Sequence, residues 1–138
     1  MALNSGWTYR EQIGPDGGGL TVLGYLASTR LHTSREEWAR RIDRGEVEIE
    51  GQRATSNAIL HPGRVLVWHR PPWNEEEVPT DYRIVHEDDA IVAVDKPSGL
   101  PTMPAGGFLH HTLLRLIRDE YPEASPLHRL GRHTSGLV

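Results

Sequence analysis

Between Arg70 and Pro79 the chain reads Arg-Pro-Pro-Trp-Asn-Glu-Glu-Glu-Val-Pro, and no helix or central strand can run through that composition. Proline has no amide hydrogen to give to a ladder, and its ring fixes φ. Residues 71–81 therefore read as a semi-rigid Pro/Glu-rich linker, and the apolar patterns on either side must each build a separate small core. Of the 138 residues, about 57 follow this linker, near the lower end of what supports an independent domain. The expected class is α+β.

Ahead of the linker, residues 1–19 end in Pro15, Asp16 and three glycines, and read as a flexible lead-in, too poor in apolar groups for a packed element. Leu20, Leu23, Leu26 and, more loosely, Leu31 recur at helical spacing, with Thr21 available as a cap. Ser34 followed by Glu37 has the form of a capping box, and Trp38 and Ile42 then share one face, so a second helix is predicted over about Arg35–Arg44. Gly45 supplies the left-handed residue that ends it. Val47 and Ile49 form a strand turning at Glu50-Gly51, and Pro62-Gly63 leads into a second strand, Val65–Trp68. These elements make a two-helix-plus-sheet domain over residues 20–70.

The net charge of −4 speaks against an extended nucleic-acid surface, but charge acts locally. Residues 34–70 carry seven arginines against six acids. Arg35, Arg40, Arg41 and Arg44 cannot all lie on the Trp38/Ile42 face, so several project to water. They could grip phosphates, or they could pair with Glu36, Glu37 and Asp43 at helical spacing; the pattern leaves both open. Glu75, Glu76, Glu77, Asp88 and Asp89 read as a solvated face or linker. Without cysteine there is no disulfide or thiolate metal site. No apolar run approaches the ~18 residues of a membrane helix, and the N-terminus lacks a basic segment followed by an apolar one, so a cytoplasmic setting without a membrane partner is the default.

Beyond the linker, Tyr82–Val85 and Ala90–Val94 read as two strands joined by a polar connection, and a second domain begins over residues 82–138. Lys96–Pro101 is rich in turn formers, Gly106-Gly107 is a break, and residues 112–118 form a short helix buried through Leu113, Leu114, Leu116 and Ile117. His110, His111, His128 and His133 raise the idea of a metal site. Neighbouring histidines on a strand point apart, and no metal is expected.

Two resemblances add to this reading. The run Ser34-Arg35 through Gly45-Glu46-Val47, then Glu50-Gly51, Leu60, Pro62-Gly63 and Val65–Val67, resembles the small RNA-binding domain named after ribosomal small-subunit protein four. That likeness implies RNA contacts by Arg35, Arg40, Arg41 and Arg44. Glu50 departs from it, since the position before the glycine often carries asparagine. The segments Asp95-Lys96-Pro97-Ser98-Gly99-Leu100-Pro101 and Pro126-Leu127-His128-Arg129-Leu130-Gly131-Arg132-His133-Thr134-Ser135-Gly136-Leu137 resemble, in order and separation, two motifs of the RluA-type pseudouridine synthases. Such enzymes need no cofactor. They flip a uridine out of its stack, and an aspartate acts on the nucleotide while uracil is detached, turned and rejoined through carbon.

Carried over by that resemblance, Arg129 would fill the gap left in the RNA, with His128 and Arg132 bordering the site; a structural role in the loop is the reading favoured for His128. Gly131 stands where the familiar motif has its catalytic aspartate, and glycine can neither attack nor take a proton. Asp119 and Glu120 on the preceding helix read as surface charges. The expected function is isomerisation of uridine to pseudouridine in structured RNA, ribosomal or transfer RNA, with no metal. The alternative is a non-catalytic RNA-binding protein derived from such an enzyme. The catalytic part, mixed and mainly antiparallel, reads as C-terminally truncated, so the 138-residue chain is expected to form no pseudouridine alone.

Overall fold

The computed structural model describes residues 2–138 and divides the chain into two compact units, Ser5–Pro72 and Trp73–Val138, the second joined by the segment that ends at Asn4. Its elements are β1 (Ala2–Leu3), β2 (Trp7–Gln12), a single 3-10 turn at Pro15–Gly17, α1 (Val22–Thr29), α2 (Arg35–Asp43), β3 (Val47–Ile49), β4 (Gln52–Arg53), β5 (Val65–Arg70), β6 (Asn74–Glu75), β7 (Arg83–Glu87), β8 (Val92–Lys96), α3 (Leu113–Glu120) and β9 (Gly136–Leu137). The strand pairs are antiparallel, and the class is α+β. None of these helices is long and apolar enough to cross a membrane.

In the Ser5–Pro72 unit, a sheet ordered β2-β5-β3-β4 packs with α1 and α2 around Ile13, Val22, Leu26, Trp38, Ile42, Val47, Leu60, Leu66 and Trp68. Both helix starts follow the sequence. Thr21 accepts from the Gly24 N–H at 3.0 Å and Ser34 from the Glu37 N–H at 3.1 Å. The reciprocal half of the capping box is replaced: the Glu37 carboxylate turns along the helix to Arg40 at 2.9 Å and Arg41 at 3.3 Å. Gly45, at φ 81°, ends α2, with the Gly45 and Glu46 N–H groups returning to the carbonyls of Ile42 and Arg41 in the paired pattern of a left-handed helix end. Glu50 and Gly51 both have positive φ, 49° and 77°, as a two-residue hairpin turn of the mirror-image type requires. A glutamate bears this strain where asparagine is the easier residue; its carboxylate accepts from the Val65 N–H at 2.8 Å.

Three expectations need correction. Residues before Leu20 are not a flexible lead-in: β2 pairs with β5 over six residues, Trp7↔Arg70 through Gln12↔Val65. It is an edge strand held by backbone hydrogen bonds, with most of its side chains exposed, so its apolar content gave no signal. The linker is also shorter than residues 71–81, because β6 pairs with β1 and Val78 packs into the second core. Leu31, 83% exposed, lies beyond the end of α1 at Thr29 and does not extend its buried face.

In the other unit, β7-β8-β9 and α3 enclose Val94, Leu100, Leu113 and Ile117, with Val78, Tyr82, Leu116 and Val138 packed around them. Thr112 caps α3 by accepting from the Arg115 N–H at 3.2 Å. The short β9 returns to β8, pairing Asp95↔Leu137 and Lys96↔Gly136.

Candidate active site

β8 ends at Lys96, which is fully buried. A buried ammonium is costly unless its donors are met, and here three main-chain carbonyls meet them: Leu100 at 2.6 Å, Pro97 at 3.0 Å and Arg132 at 3.1 Å. Burial pulls its pKa below the ordinary lysine value. The turn that follows is tight, with Gly99 at φ 99° and its α-carbon facing Pro79, where an added Cβ would meet the ring at 3.1 Å.

Onto this turn the segment Leu130–His133 is strapped. The Gly99 N–H donates to the Arg132 carbonyl at 2.7 Å, and Arg132 Nε returns to the Gly99 carbonyl at 3.1 Å. Ser98 Oγ donates to the His133 carbonyl at 2.8 Å, and Thr102 Oγ1 to that of Leu130 at 2.8 Å. The two motif segments picked out in the sequence thus form one assembly, joined by main-chain groups, the hydroxyls of Ser98 and Thr102, and the side chains of Lys96 and Arg132.

Arg132 is the hub of its outer side. Its two terminal nitrogens reach Glu76 at 2.7 and 3.3 Å, and its guanidinium carbon lies 4.6 Å from the centre of the Phe108 ring. Arg132 beside Glu76 holds that carboxyl below the usual range. Phe108 is presented by a loop that Glu75 anchors. The buried Glu75 carboxylate accepts from the N–H groups of Leu109 at 2.8 Å, His110 at 2.9 Å and His111 at 3.0 Å, and from Asn4 Nδ2 at 3.0 Å. Burial opposes its ionisation, but these donors outweigh burial and bring the pKa down to about 2. Glu75 is therefore not part of a solvated face.

A hollow of about 410 Å³ opens between these pieces, lined among others by Thr102, Met103, Phe108, Arg129, Gly131 and Arg132. Arg129, Gly131 and Arg132 come together here. His128 does not; it lines a separate apolar hollow of about 340 Å³ with Val94, Leu113, Ile117 and Val138. At Gly131 the backbone is outside the left-handed region, and an added Cβ would meet only Thr134 Oγ1, at an ordinary 3.6 Å. The position has room for a side chain and carries none, so it offers the hollow no carboxylate. Asp119 pairs with Arg115 one turn back on the exposed side of α3. Among the described residues no group of three or more His, Asp or Glu is placed to hold a metal.

The arginines of α2 lie in the Ser5–Pro72 unit and divide into two kinds. Arg35, Arg40 and Arg44 are exposed. Arg40 pairs with Glu37 at 2.8 Å, and Arg44 with Glu46 at 3.0 Å and Glu37 at 3.5 Å. Arg41 is packed instead, its guanidinium 4.8 Å from the Trp38 ring and 4.7 Å from the Trp68 ring. Sequence reasoning missed Glu75, Glu76 and Phe108. Glu75 and Glu76 sit inside an acidic run whose members look alike until the loop at residues 109–111 is brought to them.

No family model matches the chain. Known proteins do. An uncharacterised RNA pseudouridine synthase of Synechocystis is 41% identical over 119 residues, which are 85% of this chain and 41% of that protein. RNA pseudouridine synthase 5 of Arabidopsis thaliana is 34% identical over 99% of this chain and 41% of its own length, and its rice counterpart 36% identical over 89% of this chain and 36% of its own. The chain spans about two fifths of the length of these curated relatives. With both motif segments joined at one hollow, and with these similarities, the chain belongs to the RluA-type family of RNA pseudouridine synthases.

Proposed function

We propose that the chain serves in isomerising uridine to pseudouridine in structured RNA, with Ser5–Pro72 binding the RNA and Trp73–Val138 contributing part of the catalytic site. The observation that carries this is the joining of the Asp95–Pro101 and Leu127–Leu137 segments around buried Lys96, which leaves Arg129, Gly131 and Arg132 at one hollow. A uridine must leave its stack to be worked on, at a typical cost of a few kcal/mol, and exposed Arg129 is the residue for the space it vacates. Arg132 supports the wall of the hollow through Glu76 and Phe108. Arg35, Arg40 and Arg44 supply phosphate contacts in the manner of the ribosomal-protein-four domain; Arg41, stacked on Trp38 and Trp68, holds that surface in shape.

A relative in yeast named as a mitochondrial transfer RNA pseudouridine synthase, and one in Pseudomonas aeruginosa named for the large ribosomal subunit, support a transfer or ribosomal RNA substrate. A cytoplasmic setting goes with this reading. No cofactor enters it. The carboxylate that acts on the nucleotide is then supplied from a position other than 131.

Gly131 favours a second reading, an RNA-binding protein of this family without catalysis. One experiment separates them: the chain is incubated with transfer RNA and ribosomal RNA fragments, binding is measured at two salt concentrations, and nucleosides are analysed for pseudouridine. Salt-sensitive binding with new pseudouridine establishes the first reading and removes the second, binding without it supports the RNA binding that both readings share, and no binding at low salt removes both.

A further inference from the structure

We propose that the β2–β5 edge of the Ser5–Pro72 unit is a stacking site for unpaired RNA bases, distinct from the phosphate contacts of Arg35, Arg40 and Arg44; this rests on the reading of the chain as RNA-binding. β2 is the outer strand of its sheet, and successive odd positions on it share a face. That face carries Trp7 and Tyr9, 53% and 39% exposed. Two large aromatics left partly open on one short strand are the kind of residues that single-stranded nucleic acid uses.

Their setting is ordered. Tyr9 lies opposite Trp68 and stacks on it, with centroids 5.0 Å apart and planes 14° from parallel. Trp68 is itself held edge-on by Trp38, at 4.9 Å and 72°, and its indole N–H donates to Glu46 at 3.1 Å. Tyr9 is thereby fixed flat at the end of a packed aromatic series. Trp7 lies opposite Arg70, whose guanidinium carbon sits 5.9 Å from the Trp68 ring and whose Nη1 donates to the Tyr9 hydroxyl at 3.4 Å. A rigid aromatic platform beside an arginine is what base stacking with a backbone phosphate requires.

A hollow of about 360 Å³ adjoins it, lined by Gly6, Trp7, Thr8, His69 and Arg70 among others. The charge fits an anion. Glu11, the carboxylate on β2, is already engaged by Arg30 at 2.7 Å and the Tyr25 hydroxyl at 3.2 Å, and Glu48 on β3 by His69 at 3.2 Å. The occupant is a short single-stranded segment flanking the structured part of the RNA.

The test uses the full chain with two probes, an oligouridine of about ten nucleotides, within the usual span of such sites, and an RNA hairpin of matching charge. Trp7→Ala is expected to weaken oligouridine binding at least fivefold and leave hairpin binding within twofold, while Trp7→Phe keeps most of the affinity. Cross-linking of 4-thiouridine RNA to the unaltered chain, expected within Trp7–Gln12, reads the same site without a substitution. Binding of both probes with no effect of Trp7→Ala and no adduct on β2 overturns the inference alone. Hairpin binding without oligouridine binding also overturns the inference alone, and failure of both probes to bind removes the RNA-binding reading as well. Self-association of the chain that Trp7→Ala abolishes, with RNA binding unchanged, assigns the edge to a second copy and overturns the inference too.

Discussion

The ammonium of Lys96 donates to the main-chain carbonyl of Arg132 at 3.1 Å, across 36 residues of sequence. Through that bond and the bonds to Pro97 and Leu100, one side chain closes the turn after β8 and holds down the segment that carries Arg129 and Gly131.

Lys96→Met keeps the length and apolar stem of the side chain and removes its donors. Three buried or half-buried carbonyls lose this donor; that of Arg132 keeps the Gly99 N–H, and the orphaned carbonyls of Pro97 and Leu100 cost ~1–3 kcal/mol each, offset in part by no longer burying a charge. The net expectation is a loss of about 2 kcal/mol confined to the Trp73–Val138 unit. Because two units need not unfold together, hydrogen exchange is the measurement: the Gly99 and Val138 amides should exchange faster, with the amides of β5 unchanged. Unchanged protection at Gly99 would show that the turn stands without Lys96.

Glu75 predicts a pH dependence with a definite sign. Its folded pKa, about 2, lies below the ordinary 4.5, so the stabilisation it brings is complete above ~4.5 and disappears as pH falls towards 2. The shift corresponds to something on the order of 3 kcal/mol. Glu75→Gln should flatten stability over that window and free the Leu109, His110 and His111 amides, seen as loss of their exchange protection. An acid profile identical to the unaltered chain would mean that other carboxylates govern it.

Much of the Ser5–Pro72 unit was legible because its signals are local. Thr21, Ser34 and Gly45 act within five residues of themselves, and Glu50-Gly51 makes the turn that its glycine signals. β2 was not legible, since its pairing with β5 depends on residues more than fifty positions away and its own side chains are mostly exposed. In the candidate site, the motif segments named Arg129, Gly131 and Arg132, but not what holds them. Lys96 lay in a motif without a role, and Glu75 looked like its neighbours Glu76 and Glu77 until the loop N–H groups at 109–111 were seen to converge on it.

The arginines of α2 should separate by experiment as they do in space. Arg41→Ala removes the cation lying on Trp38 and Trp68 and should lower stability by about 1 kcal/mol, with affinity following only as the fold loosens. Arg35→Ala with Arg40→Ala touches exposed groups, and should leave unfolding within ~0.5 kcal/mol. If both hold phosphates, it should reduce the slope of log affinity against log salt by close to 2. An unchanged slope in the double variant would assign these arginines to Glu37 and the helix surface alone.

Gly131→Asp tests whether the missing carboxylate is a matter of space. The backbone at 131 lies outside the left-handed region, and the new Cβ meets only Thr134 Oγ1 at 3.6 Å. The aspartate would face a hollow bordered by Arg129 and Arg132, and neighbouring cations favour its ionised form. Stability is therefore expected within about 0.5 kcal/mol of the parent, measured by denaturant unfolding with exchange at the Thr134 amide, which donates to the Gly131 carbonyl at 3.0 Å. A loss of several kcal/mol would mean that the segment from Leu130 to Thr134 needs glycine for its own conformation. Tolerance would mean that glycine at 131 is no requirement of the fold, and would leave the choice of residue there to the chemistry of the hollow.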